Sequence, residues 1–248
     1  MDIVLTLGAD ELEAVRENRE GLEWLADAER NALETVQPVG PSSSRPISDT
    51  AFDLIVEFEV SSEQTYTQKY RHPVWPRGAS GVTVGIGYDV GYATHNSLHA
   101  DFDGAIPPAM VTALERAVGV TGAPAAPLAQ ELATSVDVPW QAAISVHRAK
   151  VLPRWVGIVE RALPNTASLG PDALGALVSL TYNRGASFGK AGDRYEEMRN
   201  IKAHMAASRF SAIPGDIRAM KRLWPDVPGL QKRREREAVL FEKGLATA

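Results

Sequence analysis

Between Ser80 and Tyr92 the chain reads SGVTVGIGYDVGY, and few segments leave a polypeptide so little conformational choice. Val82, Val84, Ile86 and Tyr88 alternate with Thr83, Gly85, Gly87 and Asp89. A period of two puts the apolar side chains on one face of a strand and the polar or absent ones on the other. Thr83 and Asp89 are an even number of positions apart, so they share a face of a continuous strand or lie close across a tight hairpin through Gly85-Ile86-Gly87. Either geometry lets them share a water, and the glycine-lined face lets a ligand approach the backbone closely. The GIG triplet by itself is no dinucleotide fingerprint, because no following helix and downstream acid accompany it.

Upstream, Ser48-Asp49-Thr50 offers capping side chains ahead of Phe52, Leu54, Ile55, Val56 and Phe58, a pattern that suits a short, deeply buried helix ending near Glu59. Burial at that end disfavours the ionised carboxyl, and the negative end of the helix dipole pushes the same way. A lone glutamate in such a place is ordinarily a solvated helix-end carboxylate; the hairpin that follows gives this one another meaning. Glu57 points elsewhere on the helix and is expected at the surface. Glycoside cleavage near neutral pH needs a carboxylic acid kept protonated by apolar surroundings, and a second polar group that holds water or stabilises the sugar cation. Glu59, with Thr83 and Asp89, supplies both.

Composition limits the alternatives. A chain of 248 residues that is 44% hydrophobic and 23% charged is long enough for one large domain or two small ones. A formal charge of −5 gives no global attraction to nucleic acid or to an anionic membrane, and the late basic runs Lys221-Arg222 and Lys232-Arg233-Arg234-Glu235-Arg236 read as local features. With no cysteine there is no disulfide framework, thiolate metal site or cysteine nucleophile. The N-terminus begins with an acid where a secretory signal carries basic residues, and no stretch is apolar enough to span a bilayer.

Helical spacing of Leu12, Val15, Leu22, Leu25 and Leu33 predicts one or two helices before a Pro/Ser-rich linker from Gln37 to Asp49. Residues 1–47 are therefore read as a helical extension and linker, and residues 48–248 as the main domain. From Pro107 onward helical patterns dominate, punctuated by Pro and Gly. The expected fold is α+β, mostly α, with a small β-hairpin lobe and a larger helical lobe. His95 and His99, four apart, tempt a metal reading, but no third ligand in fixed geometry is evident and sugar-acetal hydrolysis needs none; the five histidines are expected as solvated loop residues and no metal is assigned. Among the tryptophans, Trp75 is the candidate to stack on a sugar, with Trp140, Trp155 and Trp224 read as core.

Three separated segments, in order, carry a resemblance. Phe58-Glu59, Tyr66 and Thr83-Val84-Gly85-Ile86-Gly87-Tyr88 resemble the catalytic stretch of the phage-type lysozymes. Ala176 to Gly185 is similar to that family's buried helix ending in Asn-x-Gly, and Gly229 to Phe241 to its closing helix G-L-x-x-R-R-x-x-E-x-x-L-F. The family's acid after the tyrosine is absent, since Tyr66 is followed by Thr67-Gln68 and an insert through Pro76. Asp89, directly after the hairpin, resembles instead the arrangement in pesticin-like muramidases, and Gln68 loses its claim to catalysis.

The resemblance implies a lysozyme-like fold and hydrolysis of the β-1,4 bond between N-acetylmuramic acid and N-acetylglucosamine in peptidoglycan. It implies Glu59 as proton donor, Thr83 and Asp89 positioning the attacking water with inversion, and Arg233 approaching the acid. Tyr66, Trp75, Asn183 and Arg184 are the expected substrate contacts, with Asn183 and Arg184 equally suited to capping the buried helix. No cofactor is implied. The expected partners are peptidoglycan and either an immunity protein or a secretion-machine carrier, with no nucleic acid and no stable membrane insertion, the chain acting as a monomer. Synthesis in the bacterial or phage-infected cytoplasm and action in the periplasm fit a phage endolysin or an antibacterial effector. Two rival readings are a lytic transglycosylase, for which Asp89 is dispensable, and a peptidoglycan-binding module without turnover.

Overall fold

In a computed structural model describing residues 41–78 and 80–246, the Ser48 hydroxyl accepts from the Ala51 N–H at 3.1 Å and opens helix α1 (Asp49–Val60). That is the N-cap expected from Ser48-Asp49-Thr50, and it satisfies one of the donors that every helix start leaves over. The helices expected before residue 41 lie outside the described residues. Residues 41–47 carry no helix and are tied down: the Ser43 N–H donates to Pro153 O at 2.9 Å, and Arg45 donates to Thr166 O and Leu169 O at 3.0 and 2.8 Å.

The described chain divides into two units, residues 41–58 with 153–246, and residues 59–152. The first is helical. Besides the body of α1 it holds most of α7 (Leu152–Ala162), then α8 (Pro171–Arg184), α9 (Glu196–Ala206), α10 (Ile213–Ala219) and α11 (Pro228–Ala246). Every residue of α8 from Ala173 to Thr181 is buried, which makes it the central helix of this unit. Gly175 lets α1 come close, because a Cβ there would collide with Ala51. Gly185, at φ +72°, ends α8 in a conformation that costs glycine nothing, and its N–H returns to Thr181 O.

Between α8 and α11 lies a buried polar network. Glu237 has no exposed surface; it pairs with Arg233 Nε at 3.2 Å and Arg234 Nε at 3.0 Å, and the Ser179 hydroxyl donates to it at 2.7 Å. Burial pushes the Arg234 pKa down to about 9, against the opposing pull of Glu237, while Arg233 and Arg184 add to the fall.

The second unit carries α2 (Glu63–Lys69), the strands β1 (Thr83–Val84) and β2 (Tyr88–Asp89), α3 (His95–Phe102), α4 (Pro108–Glu115), α5 (Ala125–Leu132) and α6 (Trp140–Val146). A π-helical stretch, His147–Val151, continues α6 into α7. The α3 start is a capping box, Thr94 with Ser97. The fold is α+β and mostly α, as expected, with one two-stranded antiparallel sheet among the described residues. Among those residues no helix is long and apolar enough to cross a membrane.

Removing one member of a buried ion cluster costs far more than removing a surface pair, because the remaining charges lose their compensation. Glu237→Gln is therefore expected to destabilise the protein by about 3–5 kcal/mol, and Ser179→Ala, which deletes one neutral donor, by about 1 kcal/mol. Urea unfolding followed by circular dichroism measures both; equal effects would show that the carboxylate is not what the cluster is built on.

Candidate active site

The hairpin forms as its spacing predicts. Thr83 stands directly opposite Asp89, and Val84 opposite Tyr88, with Gly85 and Gly87 at φ +60° and +69° making the turn. Val82, Val84 and Ile86 are buried, while Thr83 and Asp89 are partly exposed on the other face. The glycine face is less open than expected: Gly85 is buried, and a Cβ on it would lie 3.8 Å from Ala143 of α6, whereas Gly87 is exposed.

Asp89 is held by backbone. Both of its oxygens accept from the Gly81 N–H, at 3.1 and 3.0 Å, and Oδ1 accepts from the Gly91 N–H at 2.9 Å. Each of these donors stabilises a carboxylate over a neutral carboxyl and fixes its orientation. The carboxylate fits because residue 81 is glycine; a Cβ there would collide with Asp89 Oδ1. The Thr83 hydroxyl donates toward Gly81 O at 3.4 Å, and the Thr83 backbone pairs with Val74 on its other side. The insert after α2 thus returns to line the hairpin, anchored by Trp75, whose indole N–H donates to Ser80 O at 2.9 Å. Trp75 stays partly exposed.

Glu59 is the penultimate residue of α1 and only 2% exposed. It shares the unit of residues 59–152 with Tyr66, Trp75, Thr83 and Asp89. The same unit buries His147, 1% exposed at the start of the π-helical stretch. Burial brings the His147 pKa down to about 4, the Glu59 carboxylate opposes that fall, and Arg148 adds to it. The imidazole is therefore neutral at neutral pH. Nothing in the sequence marks it, since helical periodicity does not reveal where a helix widens.

That burial corrects the expectation of five solvated loop histidines. His99 lies between Asp103 and Glu115, at 3.0 and 2.7 Å, and its pKa is raised by hydrogen bonds to Glu115 and Asp103. His204 pairs with Asp216 at 3.3 Å, whose own pKa is raised chiefly by burial. His72 and His95 are exposed, and His72 Nδ1 lies 3.0 Å from Val136 O.

Several expected substrate contacts serve the packing instead. Tyr66 is fully buried; its hydroxyl donates to Val138 O at 2.8 Å, its ring lies 5.2 Å from that of Trp140, and burial raises its pKa. It has no surface to offer a sugar. Its neighbours on α2, Glu63, Gln64, Thr67 and Gln68, line a shallow open groove. In the helical unit Asn183 Oδ1 accepts from Arg234 at 3.0 Å, and Arg184, buried, donates to Arg194 O at 2.8 Å with its guanidinium 5.0 Å from the Trp224 ring. Arg233 lies 5.2 Å from the Phe58 ring, in addition to its contacts with Glu237 and Ser179. Glu57, expected at the surface, is partly exposed and paired with Arg236 at 2.7 Å.

Compared with known proteins, the chain matches no protein-family model and no curated protein.

Proposed function

We propose that the chain is a peptidoglycan muramidase of lysozyme-like fold, hydrolysing the β-1,4 bond between N-acetylmuramic acid and N-acetylglucosamine. The observation that carries this reading is a buried carboxyl, Glu59, at a helix end in the unit whose hairpin sets Thr83 directly against Asp89. Glu59 protonates the leaving glycosidic oxygen. Thr83 and Asp89 hold the water that attacks the anomeric carbon, Asp89 taking its proton, with inversion. No cofactor takes part, and the partly exposed Trp75 offers a ring face to the glycan. The chain acts as a monomer on the wall in the periplasm, as an endolysin or an antibacterial effector with its own immunity protein.

The hold on Asp89 favours a second reading at one point. A carboxylate already engaged by the Gly81 and Gly91 N–H groups is a weaker base, and a hairpin brace is all a lytic transglycosylase would ask of it. The products separate the two: hydrolysis leaves reducing ends, and transglycosylation leaves 1,6-anhydro rings, distinguished by mass spectrometry of digested walls.

Glu59→Gln keeps the shape and loses the transferable proton, so wall hydrolysis in a turbidity assay is expected to drop by about 100- to 10,000-fold with an unchanged melting temperature. Retention of a tenth of the activity would remove Glu59 as the acid. Glu57→Gln, the paired control, weakens the contact to Arg236, at a cost of about 1 kcal/mol or less in stability, with activity unchanged.

Asp89→Asn is expected to lower kcat by about 100- to 10,000-fold with little change in KM. It also loses stability, because an amide offers one acceptor oxygen where the carboxylate offers two to the hairpin N–H groups. Thr83→Ala costs less in rate. Full activity in Asp89→Asn together with anhydro products would move the assignment to a transglycosylase.

A further inference from the structure

Tyr88 precedes Asp89 on β2 and stands opposite Val84, which is buried. Successive side chains on a strand point to opposite faces, so the direction in which Tyr88 is held sets the direction in which the Asp89 side chain leaves the backbone. Tyr88 is held by α3. Its hydroxyl donates to Asp101 Oδ2 at 2.9 Å, and its ring meets that of Phe102 edge to face, with centroids 5.0 Å apart and planes at 89°. Phe102 is buried and Asp101 is only 2% exposed. A hydroxyl bound to a carboxylate at that depth is held strongly, because little water competes for the acceptor. The stretch from Tyr88 through the short turn Val90–Tyr92 to α3 is closed on itself by this bond.

We propose that Tyr88 and Asp101 are positioning residues for Asp89, fixing from behind the hairpin the direction in which its carboxylate faces. This rests on the reading of Asp89 as the group that holds the attacking water. The Gly81 and Gly91 N–H groups grip the carboxylate oxygens. The bond to Asp101 governs the other end of the side chain, the rotation of β2 about its own axis, which strands of two residues resist weakly by their ladder. Its acceptor lies on a separate helix whose start is fixed by the Thr94–Ser97 capping box, so the strand takes its orientation from outside the hairpin. A base contributes while it points at the proton it takes, and a small misplacement costs rate before it costs binding. The effect therefore falls on kcat and not on KM.

Tyr88→Phe removes one hydroxyl and leaves the ring against Phe102. It is expected to lower kcat about tenfold with KM within about twofold. Amide exchange at Gly81 and Gly91, followed by NMR, is expected to speed up about tenfold while the amides of α2 exchange as before. Asp101→Asn keeps an acceptor oxygen for the phenol and is expected to stay within about threefold of the native kcat, whereas Asp101→Leu repeats the loss. Native kcat in Tyr88→Phe, or exchange that speeds equally in α2 and at the two glycines, would reduce the bond to a structural brace and overturn the proposal. Equal losses in Asp101→Asn and Asp101→Leu would overturn it too, since the phenol would then not be what Asp101 serves. The exchange measurement needs no turnover: faster exchange confined to Gly81 and Gly91 in a protein that leaves walls intact would keep the hold on Asp89 and reject the muramidase reading.

Discussion

A carboxylate taken wholly out of water must be answered by donors fixed in place, and in the helical unit that carboxylate is Glu237. Two guanidiniums from its own helix and a hydroxyl from α8 converge on it. Because directed donors tolerate little sliding, the cluster fixes the register of α11 on α8 more tightly than apolar packing alone. The rest of the unit follows from that register. Arg234, held by Glu237, reaches Asn183 in the last turn of α8, and Arg184 beside it lies over Trp224. The segment Asn183-Arg184-Gly185 is thus at once a helix end and one wall of the buried network.

The second unit applies the same requirement on a smaller scale. Two strands of two residues each do not make a stable sheet by their own ladder. Asp89 supplies what the ladder lacks, drawing the Gly81 and Gly91 N–H groups onto one carboxylate, while Val74 closes the outer edge of β1. The catalytic assignment asks this side chain to orient water as well as to hold the loop. Both demands call for a fixed carboxylate on the face it shares with Thr83.

How much of this was legible in the sequence depends on whether a feature is local. The α1 cap at Ser48 and the hairpin with its opposed Thr83 and Asp89 are written in side-chain type and period, and they appear where those predict, while the helix end at Gly185 is the one the resemblance implied. Burial is not local. The resemblance implied a substrate contact for Tyr66, yet Tyr66 is the one buried residue of α2, whose remaining side chains are polar or charged. The basic run from Lys232 to Arg236 was read as a local feature, with Arg233 set near the acid by the resemblance. Its pairing of Arg233 with Glu237 was readable as an i, i+4 contact, but the absence of water around it comes from α8, fifty residues earlier on the chain. His147 was illegible for a further reason: no residue pattern announces a turn of π helix.

The fit between Gly81 and Asp89 has a consequence for how this loop tolerates change. A methyl group at position 81 would occupy the space of the Asp89 carboxylate, while a shorter side chain at 89 would empty that space and strand two N–H donors. The two positions are therefore a joint choice: each substitution is damaging in the background of the other's native residue, and an acceptable alternative has to replace both. In a combinatorial library, functional variants at 81 and 89 would show pronounced epistasis, and single-site mutational maps would understate how many hairpins this scaffold accepts.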